Sequence, residues 1–544
     1  MRICVLKLIS VNSHIGAGIV VSISQNGMFK RANQSLAGVC ACSMVVGSQF
    51  ALSSSAAHAA DSNKPLNILL FTADDLGYEA ITQKPDLAPN LNKFAQQAMS
   101  FARAHMNMPI SQPSRSMLAT GRYGHTSGMM GFFHLKRDIP TVMQTFQSNG
   151  YKAGILGKVN HSTPPEDFEW DFVHDYAELG AGRDPEKYYK YSVEFIKDCK
   201  DSNKPFYFMV NSHDPHRPFH DPSKPMRNAA APSKLYGPNE VVVPKFLPDL
   251  PGVRLEMSHY YNSVRRLDDT FGRVMDALEE SGQADHTLVV FVSDNGSAFP
   301  FAKANAYVPS TKTNCFVRWP GIAKAGSINE IDFVSSIDMF PTFLDATGIE
   351  NPGGMDGKSI VPLLKGKKGV AGREEVFTQI DYKIGGPASP MRSIENARFR
   401  YIFNPWAGAD YTYRNNNEGM TMKAMDEAAS GNAAIAERVR VYRHRDLQEF
   451  FDVRVDPDCT KNLIDDSAMQ GEIVKMQTRL EEWMVETGDP LLNAYVARDN
   501  EESMDKALEA DYPSKESMMT EAQVKKMKER QAKRNKNRKG RNKK

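Results

Sequence analysis

Residues 111–121 read S-Q-P-S-R-S-M-L-A-T-G, and R-Y-G-H-T-S-G follows at once. Pro113 lacks a backbone donor and fixes its own φ, which suits the first turn of a helix, so Ser111 is predicted at or just before a helix N-terminus. Free N–H groups and the helix dipole stabilise an anion there. Arg115 adds a forked cation at the same end, a group suited to a tetrahedral oxyanion. The stretch is built to present one side chain.

Four apolar runs of strand length surround it, and each discharges polar residues at its carboxyl end. Asn67–Phe71 ends in Asp74-Asp75, Ala153–Leu156 in Gly157-Lys158 and then His161, Phe206–Val210 in Ser212-His213-Asp214-Pro215-His216, and Leu288–Val292 in Asp294-Asn295-Gly296. Continuous apolar runs predict strands buried on both faces of a parallel sheet. Ligands bind off the carboxyl ends of such strands, so the four polar turns should converge on one crevice. Val264, Leu267, Phe271, Val274 and Leu278 follow helical spacing and predict a helix packed on that sheet. Residues 217–251 are proline-rich and aperiodic, which predicts a long surface loop.

Beyond about residue 385 the pattern changes. Ser389–Ser393 leads into Phe399–Phe403, and Phe450-Phe451-Asp452 precedes a turn, so a smaller antiparallel sheet is predicted, followed by a helix around Ile473–Val485. From Asn500 the chain is charged and poor in aromatics, the composition of a solvated, disordered segment. The expected layout is therefore an upstream segment and signal peptide over 1–59, a catalytic domain over 64–385, a smaller domain over 386–495 and a basic tail over 496–544.

The net charge of +2 conceals three unlike parts: residues 1–59 carry +4, residues 525–544 carry +11, and the body between carries −13. An acidic body argues against nucleic acid as the partner. Lys30 and Arg31 precede a small, apolar run from Leu36 to Gly47, and Ala57-His58-Ala59 offers a cleavage site, which reads as a signal for export to the periplasm or the medium. Met28 is an alternative start, and Cys40 and Cys42 lack a clean lipoprotein box. No stretch is long enough to span a membrane as a helix. Cys199, Cys315 and Cys459 are too few and too widely spaced for a disulfide framework.

Asp74, Asp75, Asp294 and Asn295 are hard oxygen donors from two strand ends, without histidine or cysteine pairs at zinc spacing. Such donors suit calcium, with magnesium the second choice.

Ser111, Pro113, Ser114, Arg115, Thr120 and Gly121 together resemble the sulfatase signature, in which the first residue is converted to formylglycine. The resemblance covers roughly residues 65–490 and is closest to the sulfamidase (N-sulfoglucosamine sulfohydrolase) branch, on HDPHRPFH (213–220), VPKFLP (243–248), DNGSAFPFAKAN (294–305), SPMRS (389–393) and Trp483 with ETGDP (486–490). It implies an α/β fold, an alkaline-phosphatase-like α/β/α sandwich with a smaller C-terminal domain built on an antiparallel sheet. It further implies one calcium held by Asp74, Asp75, residue 111, Asp294 and Asn295, and sulfate contacts from Arg115, Lys158, His161, His213 and Lys303. A sulfated saccharide as substrate and a radical maturase acting on Ser111 come with it.

Two departures stand out. Gly157-Lys158-Val159-Asn160-His161 has one residue more than the family's Gly-Lys-x-His spacing. The His-His-Glu element that sulfamidases place before Pro-Met-Arg has no counterpart in residues 381–386.

The chemistry accounts for the residue types. An aldehyde hydrate has two hydroxyls on one carbon, one to attack sulfur and one whose deprotonation expels sulfate. His161 is the expected base on the hydrate and His213 the expected acid on the leaving atom, with His216 and Lys303 the next candidates. Two other readings remain: a phosphomonoesterase or phosphodiesterase of the same superfamily using unmodified Ser111, and a non-catalytic polysaccharide-binding relative.

Overall fold

The structure is a computed structural model that describes residues 64–541 apart from 136–137, 384–386, 409–410 and 416. The expected signal peptide, the alternative start and Cys40 and Cys42 lie outside the described residues.

All four apolar runs are strands, and they are neighbours. The central strand Asn67–Asp74 pairs in parallel with Phe206–Pro215 on one side and Thr287–Ser293 on the other; Lys152–Leu156 and then Phe172–His174 continue the sheet beyond Phe206–Pro215. Beyond Thr287–Ser293 come Phe316–Arg318 and Met99–Phe101, both antiparallel to their inner neighbours, and then Ile328–Asn329, which makes an eight-stranded mixed sheet. The central strands run further than their apolar cores: Asn67–Asp74 and Phe206–Pro215 carry their polar residues inside the ladder, because Asp74 pairs with Pro215 across an irregularity after Thr72.

Alternation along the buried strands divides the core into two layers. Leu69, Phe71, Phe208, Val210, Val289 and Phe291 face one side, whereas Ile68, Leu70, Tyr207, Met209, Val290 and Val292 face the other. The first layer is covered by the 30-residue helix Pro251–Glu280 and by Pro185–Asp201; all five of Val264, Leu267, Phe271, Val274 and Leu278 are buried there. Met143 and Phe146 of Val142–Ser148 and Phe340 and Phe343 of Met339–Thr347 cover the second. Residues 217–250 form a loop with a single 3-10 turn at Pro238–Glu240.

A four-stranded antiparallel sheet follows in the order Glu375–Ile380, Met391–Asn396, Phe399–Phe403, Gln448–Asp452, and the helix Gln470–Thr487 lies against it. Its first strand lies ahead of residue 386. The fold is thus the α/β architecture with a smaller antiparallel sheet that the sequence led us to expect.

The expectation of disorder after residue 496 is corrected. Residues Glu501–Asp511 and Glu521–Arg541 are helices. Asn500 caps the first through Ser503 N–H, and Met504 is buried. Tyr512 then donates to Asp381 Oδ1 at 2.8 Å, and Tyr382 donates to the Pro513 carbonyl at 2.6 Å. The second helix opens on a reciprocal Thr520–Gln523 cap, which composition alone does not weigh. Cys199, Cys315 and Cys459 are free and buried. Among the described residues no helix is long and apolar enough to cross a membrane.

Candidate active site

The helix Ser111–Thr120 is buried along its whole length and ends on Gly121 in the left-handed conformation. A left-handed residue at that position lets the chain turn away without a Cβ clash. Ser111 begins the helix, and its hydroxyl donates to Asp74 Oδ1 at 3.1 Å. Asp74 leaves the central strand, so the helix start and the carboxyl end of the sheet meet at one point.

Three carboxylates and three cations interlock around it. Lys158 Nζ lies against Asp74 Oδ2, Lys303 Nζ donates to Asp75 Oδ1 at 2.5 Å, and Arg115 donates to Asp294 Oδ2 through Nε and Nη2 at 3.1 and 2.9 Å. Arg115 Nη1 also donates to Thr72 Oγ1 and Asn211 Oδ1. A guanidinium has five N–H donors, so four are engaged by the protein and one, on Nη2, is left. Burial pushes Asp74 up, yet Lys158, His216, Arg115 and Lys303 together hold it well below the usual carboxylate range. Burial raises Asp294 despite its pairing with Arg115.

Strain gathers at the same place. Asp75, Lys158, Phe301 and Ala304 all have positive φ, a conformation that costs a residue with a Cβ of order 1–3 kcal/mol and persists where surrounding contacts enforce it. The enforcement is visible for Lys303. Its flanking loop is gripped by the C-terminal region: Tyr413 donates to the Ala304 carbonyl at 2.5 Å, Arg445 Nη2 reaches Asn305 Oδ1, and Arg400 Nε reaches the Ala306 carbonyl at 2.5 Å.

The donor chemistry fits a hard divalent cation. Asp75 Oδ2 and Asn295 Oδ1 are buried without any hydrogen-bond partner, and Asp74 Oδ2 has only the Lys158 ammonium against it. Unsatisfied buried oxygens of this kind are costly unless a cation holds them. His216 was not among the sequence-derived metal ligands, yet Asp74, Asp75 and His216 offer atoms within 4.8 Å of one another, with His216 Nε2 3.9 Å from Asp75 Oδ2. Asp294 contributes less directly, since Oδ1 accepts the Asp75 N–H and Oδ2 accepts Arg115.

The histidines differ in posture. His213 Nε2 accepts the backbone N–H of Lys158 at 3.1 Å, with Asp175 Oδ1 3.8 Å away. Burial, opposed by Asp175, pulls His213 down to about 4. His161 sits on the one-turn helix Val159–Ser162, edge-on to Phe132 at 5.7 Å, and its Nδ1 is buried with no partner. Burial and then the Lys158 charge pull it down to about 3. The extra residue between Lys158 and His161 is accommodated in that short helix.

Thr72, Asn211 and Asp175 are the site residues that sequence reasoning missed, and His216, expected only as a reserve acid, stands among the metal donors. Two carried a signal: Thr72 and Asn211 are the first polar residues beyond the apolar runs that end at Phe71 and Val210.

The sulfatase family profile matches residues 66–349, and the profile described as N-sulphoglucosamine sulphohydrolase, C-terminal, matches residues 297–429. The chain is 28% identical to human N-sulphoglucosamine sulphohydrolase over 473 residues, covering 78% of this chain and 91% of that protein. It is 25% identical over 440 residues to an ulvan-active sulfatase of Formosa agariphila, covering 79% and 82%. In fold it is similar to a solved structure in complex with its substrate D-glucosamine-2-N,6-O-disulfate, with a TM-score of 0.59, 19% identity and coverage of 78% and 99%. A phosphonate monoester hydrolase from Silicibacter pomeroyi shares the fold at a TM-score of 0.57 and 19% identity, covering 78% of this chain and 96% of that one. Since the first profile spans just over half of the 544 residues, this chain belongs to the sulfatase family and is a sulfatase.

Proposed function

We propose that the protein hydrolyses sulfate esters or sulfamates on a saccharide, using a formylglycine hydrate at position 111 as nucleophile and releasing inorganic sulfate. The observation that carries this reading is the hydroxyl of Ser111 at a buried helix N-terminus, 3.1 Å from Asp74 and amid oxygens that lack partners. The saccharide substrate is suggested by relatives whose names refer to N-sulphoglucosamine and ulvan.

Asp74, Asp75, residue 111, Asp294 and Asn295 would hold one calcium, with His216 alongside and magnesium the second choice. When bound, the ion supplies Lewis-acid polarisation of a sulfate oxygen and favours ionisation of the attacking hydroxyl. With three carboxylates against Arg115, Lys158 and Lys303 the side chains are balanced, so a divalent ion leaves the site attractive to an anion.

The steps assigned to the chain's own residues are these. One hydroxyl of the hydrate passes its proton to Asp74, which already accepts the residue-111 hydroxyl, as it attacks sulfur; the bond from sulfur to the sugar oxygen or nitrogen breaks, and His213 protonates the departing atom. The second hydroxyl yields its proton to His161, the bond from carbon to the sulfate oxygen breaks, sulfate leaves, and the aldehyde is restored for rehydration. Burial keeps His213 neutral and the Lys158 N–H occupies its Nε2, so to act as the acid it takes a proton at Nε2 in exchange for that bond, a change that an anionic sulfate nearby favours. Arg115 has one N–H for the sulfate, and Lys158 and Lys303 add charge.

Export to the periplasm or medium, and a radical maturase acting on Ser111, complete the proposal. The deciding experiment is the mass of the peptide carrying residue 111, from protein made in its own host, together with sulfate release from that protein. Conversion of serine to formylglycine lowers the mass by two hydrogens. An unmodified serine accompanied by turnover of phosphate esters would overturn the reading.

A further inference from the structure

The basic tail is strapped to the rim of the active site. Tyr512 and Pro513 are fixed to Asp381 and Tyr382, and Met518 and Met519 pack against a small apolar cluster of Met129, Met130, Phe133 and Tyr382. Thr520 donates to Glu166 at 3.2 Å, and Gln523 Oε1 accepts the backbone N–H of His134 at 3.4 Å across 389 residues of sequence. The same rim touches the chemistry, for Gln112 beside Ser111 donates to the Phe133 carbonyl at 2.7 Å and Phe132 packs on His161. The helix Glu521–Arg541 therefore starts at the mouth of the site.

That helix is 21 residues long, about 30 Å at 1.5 Å per residue. It carries ten lysines and arginines against Glu521 and Glu529. In its first three turns Val524 and Met527 are half-buried, while Lys525, Lys526, Lys528 and Arg530 are exposed. Its position solves an electrostatic problem. A polyanion approaching a body of charge −13 is repelled, whereas the cationic helix Glu521–Arg541, which starts at the rim, attracts it to the right place.

We propose that the Glu521–Arg541 helix is an accessory binding site for a sulfated polysaccharide, gripping the polymer beside the residue being cleaved. The proposal rests on the sulfatase reading for its substrate class. It concerns binding, and the helix takes no part in bond breaking.

The test compares the full chain with the variant Lys525→Gln/Lys526→Gln/Lys528→Gln/Arg530→Gln, and with a chain ending at Val524 should that variant misfold. Heparin serves as the polymer probe, with desulfated heparin as control and nitrophenyl sulfate as the small substrate. The expected result is retention of the full chain on immobilised heparin with steep salt dependence, as counterion release requires. The variant should elute at clearly lower salt and show a KM for sulfated polymer about tenfold or more higher, with nitrophenyl sulfate turnover unchanged. Equal heparin retention by both proteins would overturn the proposal, as would binding to phosphatidylserine vesicles in place of heparin. Retention is measured without turnover, so failure to hydrolyse any sulfate would count against the sulfatase reading alone.

Discussion

The backbone N–H of Lys158 donates to Nε2 of His213 at 3.1 Å. This bond fixes the neutral imidazole with its proton on Nδ1 and ties the residue proposed to protonate the leaving atom to one proposed to hold the sulfate. Lys158 has φ 49°, so the strained turn after the strand Lys152–Leu156 aims the N–H.

A sugar oxygen or nitrogen is a poor leaving group and needs a proton, whereas a nitrophenolate departs without one. His213→Ala is expected to lose roughly a hundred- to ten-thousand-fold on sulfated saccharides, the usual worth of general acid catalysis, and far less on nitrophenyl sulfate. Steady-state kinetics on both substrates check this. Equal losses would make His213 a positioning residue and move the acid to His216 or Lys303.

Arg115→Ala should damage both substrates alike and also destabilise the fold. Removing the guanidinium leaves Asp294 Oδ2 buried without its donors, and breaking a buried ion pair costs about 3–5 kcal/mol. Thermal melts should therefore show a lower Tm alongside the lost activity, and an unchanged Tm would contradict the pairing.

Chelation is expected to lower both turnover and Tm, because Asp74, Asp75 and Asp294 share one small volume and Asp75 Oδ2 and Asn295 Oδ1 have no hydrogen-bond partner. A cation present at about a hundred times its Kd stabilises by about 2.7 kcal/mol. Restoring calcium should reverse the shift, and Asp294→Asn should weaken it. A melt indifferent to chelator would remove the metal from the site.

Position 111 needs only an aldehyde. Ser111→Cys, made in a host with a cysteine-type maturase, should recover sulfatase activity, and Ser111→Ala should abolish it. Sulfate release at the parental rate by Ser111→Ala would end the covalent mechanism.

Lys383 offers a pH test away from the reacting centre. Its ammonium is buried against Ser389 Oγ at 2.7 Å and Tyr411 Oη at 3.1 Å, and burial, with help from Arg445, pulls it down to about 7. The folded pKa is depressed, so its stability contribution is highest above the unfolded value near 10.5, falls as pH drops toward 7, and is level below that. Lys383→Met, which leaves Ser389 and Tyr411 bonded to each other, should raise Tm most at pH 6 and progressively less toward pH 10. A gain independent of pH would mean that packing, not charge, is responsible.

The sequence by itself determined the central strands, a helix through Val264–Leu278, the helix start at Ser111 and the polar turns at Asp74, Lys158, His213 and Asp294. Those features are local: apolar runs, periodicity and a proline near a helix start act within a few residues. Tertiary structure alone decided the rest. Thr72 and Asn211 grip Arg115 from two different strands, His216 swings beside Asp75, and Tyr413, Arg445 and Arg400 hold the Lys303 loop from more than ninety residues away. The tail shows the contrast most plainly. Its composition predicts a solvated coil, but Tyr512 and Gln523 find partners at Asp381 and His134 and Met519 packs against the cluster of Met129, Met130, Phe133 and Tyr382, and contacts that long in range are fixed only when the fold brings both ends together.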